Sequence, residues 1–96
     1  MIYEYDAHGI TRTAVSLYKE NKNKIGEIYK ATMTIKNARP VLSLYDMGEN
    51  ELRIISGIIS GYNGEGPRGV LEILRDAGFE VKERFIYENA TFSIEK

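Results

Sequence analysis

Ten residues in the second half of the chain have the composition of an anion-binding turn. Residues 60–69, Ser-Gly-Tyr-Asn-Gly-Glu-Gly-Pro-Arg-Gly, hold four of the nine glycines. Glycine tolerates positive φ and lets a ligand approach the main chain closely. The segment leads into a predicted helix, whose first-turn N–H groups have no partner within the helix and attract anions. We therefore predict a site for an anionic, phosphate-bearing small molecule such as a nucleotide.

Two side chains sharpen this prediction. Arg68 lies at the predicted helix start, where a cation is unfavourable by about 0.3–1 kcal/mol, so a bound anion would explain it. The ring of Tyr62 is suited to stacking on a planar part of the ligand. The predicted ligand-binding set is Tyr62, Asn63, Gly64, Gly66, Arg68 and Gly69.

Known phosphate-binding motifs match this segment poorly. No Gly-Lys-Ser/Thr follows, as a phosphate loop of the nucleotide triphosphatases would require. The spacing Gly64-x-Gly66-x-x-Gly69 fits the bare dinucleotide pattern, but Pro67 inside it has no N–H to donate. The structural alternative is a tight turn in which Arg68 pairs with Glu72, one helical turn later.

The inventory of reactive side chains is thin and favours a non-enzymatic protein. The chain has no cysteine and one histidine, which excludes thiolate chemistry and a pair of histidine metal ligands. An Asp6–His8 pair could orient a general base, but a polar turn explains these residues equally well. The other carboxylates show no metal-ligand spacing. We expect no catalytic residue, no metal site and no cofactor.

Charge and tyrosine content suggest a second functional class, a protein–protein interaction module such as an adaptor or an enzyme inhibitor. Residues 19–39 hold six basic and two acidic side chains in what we predict to be a hairpin, although the net charge of the chain is −1. Seven tyrosines are spread along the predicted sheet, and tyrosine is common at interfaces. We expect a homo-oligomer, most simply a dimer, in the cytoplasm, with no membrane partner and no nucleic acid.

The elements that position these residues follow from apolar periodicity. Alternating side chains predict strands over residues 2–6, 11–19, 29–36, 41–46, 79–87 and 91–94. Residues 51–60 fit a strand, which we favour, or a helix that begins after Asn50. A helix is predicted over residues 67–77, from Pro67 to the stop at Gly78. The sequence predicts one α+β domain over residues 1–96, a mainly antiparallel sheet of five to seven strands with one or two helices on one face.

Overall fold

A computed structural model describes all 96 residues and shows an α+β fold, which confirms the predicted class. Five strands form one mixed sheet, and three helices pack against it. The strands are β1 (Ile2–Asp6), β2 (Ile28–Lys36), β3 (Arg39–Asp46), β4 (Glu51–Ile55) and β5 (Phe92–Glu95). The helices are α1 (Thr11–Asn21), α2 (Glu65–Asp76) and α3 (Glu83–Glu88). None of them is long and apolar enough to cross a membrane.

The sheet is mostly antiparallel, with the strand order β1-β4-β3-β2-β5. Only β1 and β4 run parallel, with Tyr3 opposite Leu52 and Tyr5 opposite Ile54. Parallel neighbours need a crossover, and here the chain between them passes through α1, β2 and β3. Because of this arrangement the carboxyl ends of β1 and β4 meet at one edge of the sheet, and the segments that lead to α1 and α2 leave from that edge.

One face of the sheet carries the core. Alternate strand residues point toward the helices, where they join buried side chains of α1 and α2. Leu71 and Leu74 of α2 are buried in this core. The other face is polar, and Arg53 in its middle donates hydrogen bonds to Glu4 and Glu51. The core cluster is drawn from both layers and includes Ala14, Val15, Tyr18, Ala31, Met33, Leu42, Leu44, Leu52, Ile54, Val70, Ile73 and Leu74.

The strand predicted for residues 11–19 is wrong, because this segment is helix α1. Its buried residues are Ala14, Val15, Tyr18 and Asn21, which recur every three or four positions as a helical stripe does. The predicted hairpin over residues 11–36 is therefore absent, and residues 22–24 form a short 3₁₀ turn that ends the helix. The basic residue Lys19 lies on α1 and Lys22 lies in the 3₁₀ turn that follows it, rather than at a hairpin end.

Three other boundaries differ from the prediction. Residues 79–87 do not form a strand, because helix α3 occupies residues 83–88. The last strand, β5, pairs with β2. The ambiguous segment 51–60 is a strand only to Ile55, because Ser56 and Gly57 then adopt positive φ. Helix α2 begins at Glu65, two residues before Pro67. Pro67 costs no helical hydrogen bond there, because Arg68 is the first residue whose N–H reaches back to Gly64.

The hairpin between β2 and β3 turns on two residues, Asn37 and Ala38. Both have positive φ, +52° and +62°, which is the conformation of a type I′ turn. Asn tolerates this region, but the Cβ of alanine is disfavoured in it by roughly 1–2 kcal/mol. Ala38 is therefore a point of backbone strain at the tip of the hairpin.

We predict that Ala38→Gly raises the free energy of unfolding by about 0.5–1 kcal/mol, because relief of the left-handed strain exceeds the entropy that glycine adds to the unfolded chain. Urea denaturation measures the change. The matched control is Ala77→Gly, at a residue with φ of −74°, where the same substitution should lower stability by about 0.5–1 kcal/mol. A loss of stability at both positions would contradict the proposed strain.

Candidate functional site

Helices α1 and α2 lie side by side and run in the same direction. Tyr18 and Lys22, near the end of α1, both donate hydrogen bonds to Asp76 at the end of α2, over 2.8 and 2.9 Å. One turn earlier Lys19 donates to Glu72 over 2.8 Å. Thr11, at the start of α1, packs against Gly69 of α2. The amino-terminal ends of the two helices consequently lie at the same end of the molecule.

Two glycines of α2 permit close contacts, Gly69 with α1 and Gly66 with the segment that precedes α2. A Cβ on Gly69 would lie 2.5 Å from Cγ2 of Thr11, so a larger residue would push the two helices apart. A Cβ on Gly66 would lie 2.7 Å from Cγ2 of Ile59 and 3.3 Å from the main chain of that residue. Both glycines are buried and helical, and neither has positive φ. Close packing therefore accounts for them without a ligand.

A groove of about 230 Å³ opens between the two helices near their first turns. Arg12 of α1 and Arg68 of α2 both line the groove, and neither forms an ion pair or a side-chain hydrogen bond. The alternative pairing of Arg68 with Glu72 is not formed, because Glu72 accepts from Lys19 instead. The lining residues are Thr11, Arg12, Val15, Glu65, Arg68, Gly69 and Glu72.

The main chain around the groove also favours negative charge. Neither α1 nor α2 has a side-chain hydrogen bond at its N-cap, which is Ile10 in one helix and Gly64 in the other. First-turn N–H groups without caps, together with the helix dipole, attract anions. Arg12 is the second residue of α1 and Arg68 the fourth of α2, so both cations stand where their own helices disfavour them.

The structure brings only part of the predicted set together. Arg68 and Gly69 line the groove, whereas Tyr62 and Asn63 are exposed outside it. The ring of Tyr62 lies against Gly64, so Gly64 leaves room for that ring. Gly66 packs on Ile59, away from the groove lining. The predicted residues thus divide into two that line the groove, three that lie in the turn before α2, and Gly66, which lies within α2 and packs on Ile59.

The sequence prediction missed five groove residues, three of them on α1: Thr11, Arg12, Val15, Glu65 and Glu72. Assigning residues 11–19 to a strand placed Arg12 far from any helix start. The helical spacing of Ala14, Val15 and Tyr18 was the available signal. A helix predicted from this spacing would have placed Arg12 in a first turn, where a cation is unfavourable for the same reason as for Arg68.

The carboxyl ends of β1 and β4 are joined beside the groove. Asp6 accepts hydrogen bonds from the His8 N–H at 2.8 Å, from the Ser56 hydroxyl at 3.2 Å and from Arg39. The Thr11 hydroxyl donates to the Gly57 carbonyl over 2.5 Å. These bonds tie the loop before α1 to the end of β4, so they fix where α1 begins.

The Asp6–His8 pair has no geometry for a general base. The His8 ring is largely exposed, and its Nδ1 atom lies 3.8 Å from the Asp6 carboxylate, beyond hydrogen-bond distance. The hydrogen bond from Arg39, followed by that from the His8 N–H, lowers the pKa of Asp6 from 3.8 to about 2. Asp6 is thus a structural carboxylate held in its charged form.

We predict that Gly66→Ala lowers the free energy of unfolding by about 1–3 kcal/mol, as overpacking of a close contact does. Gly69→Ala should do the same by separating α1 from α2. The matched control is Gly48→Ala, where the nearest atom to the new Cβ lies at an ordinary 3.4 Å. Urea denaturation compares the three variants. A fully stable Gly66→Ala protein would show that this glycine serves something other than packing.

We predict that acid weakens the fold partly through Asp6. Its folded-state pKa lies below its ordinary value, so its stabilising contribution is complete above about pH 4 and is lost as the pH falls toward 2. Asp6→Asn should therefore lower stability at pH 6 and flatten the dependence of unfolding free energy on pH between 4 and 2. Denaturant unfolding at several pH values measures both effects, and an unchanged slope would contradict this role.

No family model, no curated protein and no solved structure matches this chain. Its function must therefore be inferred from the groove between α1 and α2 and from the surfaces around it.

Proposed function

We propose that this domain binds an anionic, phosphate-bearing small molecule, without catalysis, in the groove between α1 and α2. The observation that carries the proposal is the pair Arg12 and Arg68, two guanidinium groups in one groove without a carboxylate partner. The predicted nucleotide-like ligand remains part of this proposal. Its binding position moves from the glycine-rich turn to the groove beside it.

Phosphate suits this arrangement for physical reasons. A guanidinium group presents a planar fork of donors that matches two phosphate oxygens, and such charge-assisted bonds are stronger than neutral ones. Each arginine is repelled by the dipole of its own helix, and a bound anion would turn that repulsion into attraction. The N–H groups at the two helix starts would add further donors.

The two residues considered for acid–base chemistry, Asp6 and His8, lie outside the groove. Asp6 is already held by three donors. Glu72 is engaged by Lys19. These contacts support binding rather than catalysis as the role of the groove. The predicted cytoplasmic location remains a prediction that the fold does not test.

A protein–protein interaction module remains the second candidate. The basic hairpin does not support it, because Lys19 and Lys22 pair with α2 within the molecule. What favours it is an apolar surface at one end of the sheet, where Ile2 and Met47 are 56% and 80% exposed and line a second groove with Tyr29 and Tyr45. The predicted homo-oligomer also stays a prediction.

We predict that Arg12→Ala and Arg68→Ala each weaken the binding of inorganic phosphate by about ten- to a hundredfold, because each removes a charge-assisted contact of about 1.5–3 kcal/mol. Isothermal titration calorimetry at low salt measures the dissociation constants, which should rise with ionic strength. Both variants should unfold at the same urea concentration as the parent or at a slightly higher one.

The control for this experiment is Arg84→Ala. Arg84 is an exposed arginine on α3 that pairs only with Glu88, so its removal changes the net charge equally and leaves the groove intact. Equal weakening by all three substitutions would indicate general charge attraction. Absence of phosphate binding in the parent would contradict the proposal and favour the interaction module.

A further inference from the structure

The groove between α1 and α2 contains a third charged group without a partner. Glu65, the first residue of α2, lines the same groove as Arg12 and Arg68, yet it forms no ion pair or side-chain hydrogen bond with either. All three side chains are exposed, so pairing among them would stabilise the fold little and water can solvate them. Their donor and acceptor atoms are therefore available to a group that binds in the groove which they line.

The other polar side chains of the groove are already engaged. The Thr11 hydroxyl donates to the Gly57 carbonyl, and Glu72 accepts from Lys19. What remains is two guanidinium donors and one carboxylate, which is purely an acceptor when ionised. A ligand that satisfies all three must carry an anionic group and, a short distance away, hydroxyl or amine donors.

We infer that the ligand is a phosphorylated sugar, with its phosphate on Arg12 and Arg68 and neighbouring hydroxyls donating to Glu65. This inference rests on the proposed phosphate-binding function and specifies its substrate class. A carboxylate repels a second phosphate, so Glu65 discriminates against polyphosphates and favours a hydroxyl-bearing ligand. The two oxygens of one carboxylate can accept from two adjacent hydroxyls of a sugar.

Size and lining support a sugar phosphate without a recognised base. The groove of about 230 Å³ is smaller than the roughly 300–1,000 Å³ of pockets that enclose drug-sized ligands. Val15 is its one apolar residue, and no aromatic ring lines it. Tyr62, the ring predicted to stack on a base, lies outside. A nucleotide would thus be held by its ribose phosphate, with the base in solvent.

The test is calorimetric titration of the full chain with inorganic phosphate, ribose 5-phosphate, 2-deoxyribose 5-phosphate and AMP. We expect ribose 5-phosphate to bind about tenfold more tightly than phosphate, as a hydrogen bond to a charged group contributes. The 2-deoxy sugar should fall between the two, because it lacks one hydroxyl. AMP should bind within about threefold of ribose 5-phosphate, since the base is not contacted.

The variant Glu65→Gln separates this inference from the function on which it rests. It should reduce the preference for ribose 5-phosphate over phosphate several-fold, because the amide has one neutral acceptor oxygen where the carboxylate has two charged ones. Phosphate binding should stay equal or become tighter. The control is Glu80→Gln, an exposed glutamate outside the groove, which should change neither affinity. Urea denaturation of both variants checks that the helix still forms, because an acidic residue in the first turn also stabilises a helix.

Each outcome discriminates between the two claims. If phosphate binds through Arg12 and Arg68 but the sugar adds nothing, or if Glu65→Gln retains the preference, the sugar inference is wrong and phosphate binding stands. If AMP binds much more tightly than ribose 5-phosphate, the protein also recognises the base. The inference that it recognises only the sugar phosphate is then wrong. If the parent binds neither phosphate nor ribose 5-phosphate, both the inference and the proposed function fail.

Discussion

The close approach of α1 to α2 at Thr11 and Gly69 is the constraint on which the rest of the site depends. Gly69 has no side chain, so the methyl group of Thr11 occupies the place that a Cβ would fill. The Thr11 hydroxyl reaches in the other direction, to the carbonyl of Gly57 at the end of β4. One residue thus fixes the start of α1 against both the neighbouring helix and the sheet, and the spacing of the two helix ends follows from it.

Apolar periodicity predicted the correct element where the burial of one face of a strand or helix determines its structure. The alternation in β2 and the stripe of Val70, Leu71 and Leu74 in α2 each match one element only, and both predictions are confirmed. Residues 11–19 are different, because Thr13, Val15 and Leu17 alternate while Ala14, Val15 and Tyr18 follow a helical spacing. Packing against α2 selects the helix, and that long-range contact cannot be inferred from local pattern.

In the glycine-rich segment, too, contacts with distant residues decide the structure and are not visible in the local sequence. Its composition predicted an unusual backbone, and Gly61 does adopt a positive φ of +99°. Gly66 and Gly69 are instead small because Ile59 and Thr11 lie against them. From sequence alone, a glycine that admits a ligand and a glycine that admits a neighbouring helix look identical. Arg68 was predictable because its charge conflicts with its own helix, a local property, whereas Arg12 required knowledge that α1 exists.

The two ends of the α1–α2 pair differ in whether their charged side chains form ion pairs. Toward the carboxyl-terminal ends of the two helices, Lys19 pairs with Glu72 and Lys22 pairs with Asp76. At the amino-terminal end, Arg12, Arg68 and Glu65 line one groove and remain unpaired. All three of these side chains are exposed, so water can solvate them and folding does not require them to pair. The two arginines nevertheless lie near the starts of their own helices, where the helix dipoles disfavour a cation. This conflict at two arginines of one groove supports the proposed anion site and distinguishes this end of the helix pair from the other.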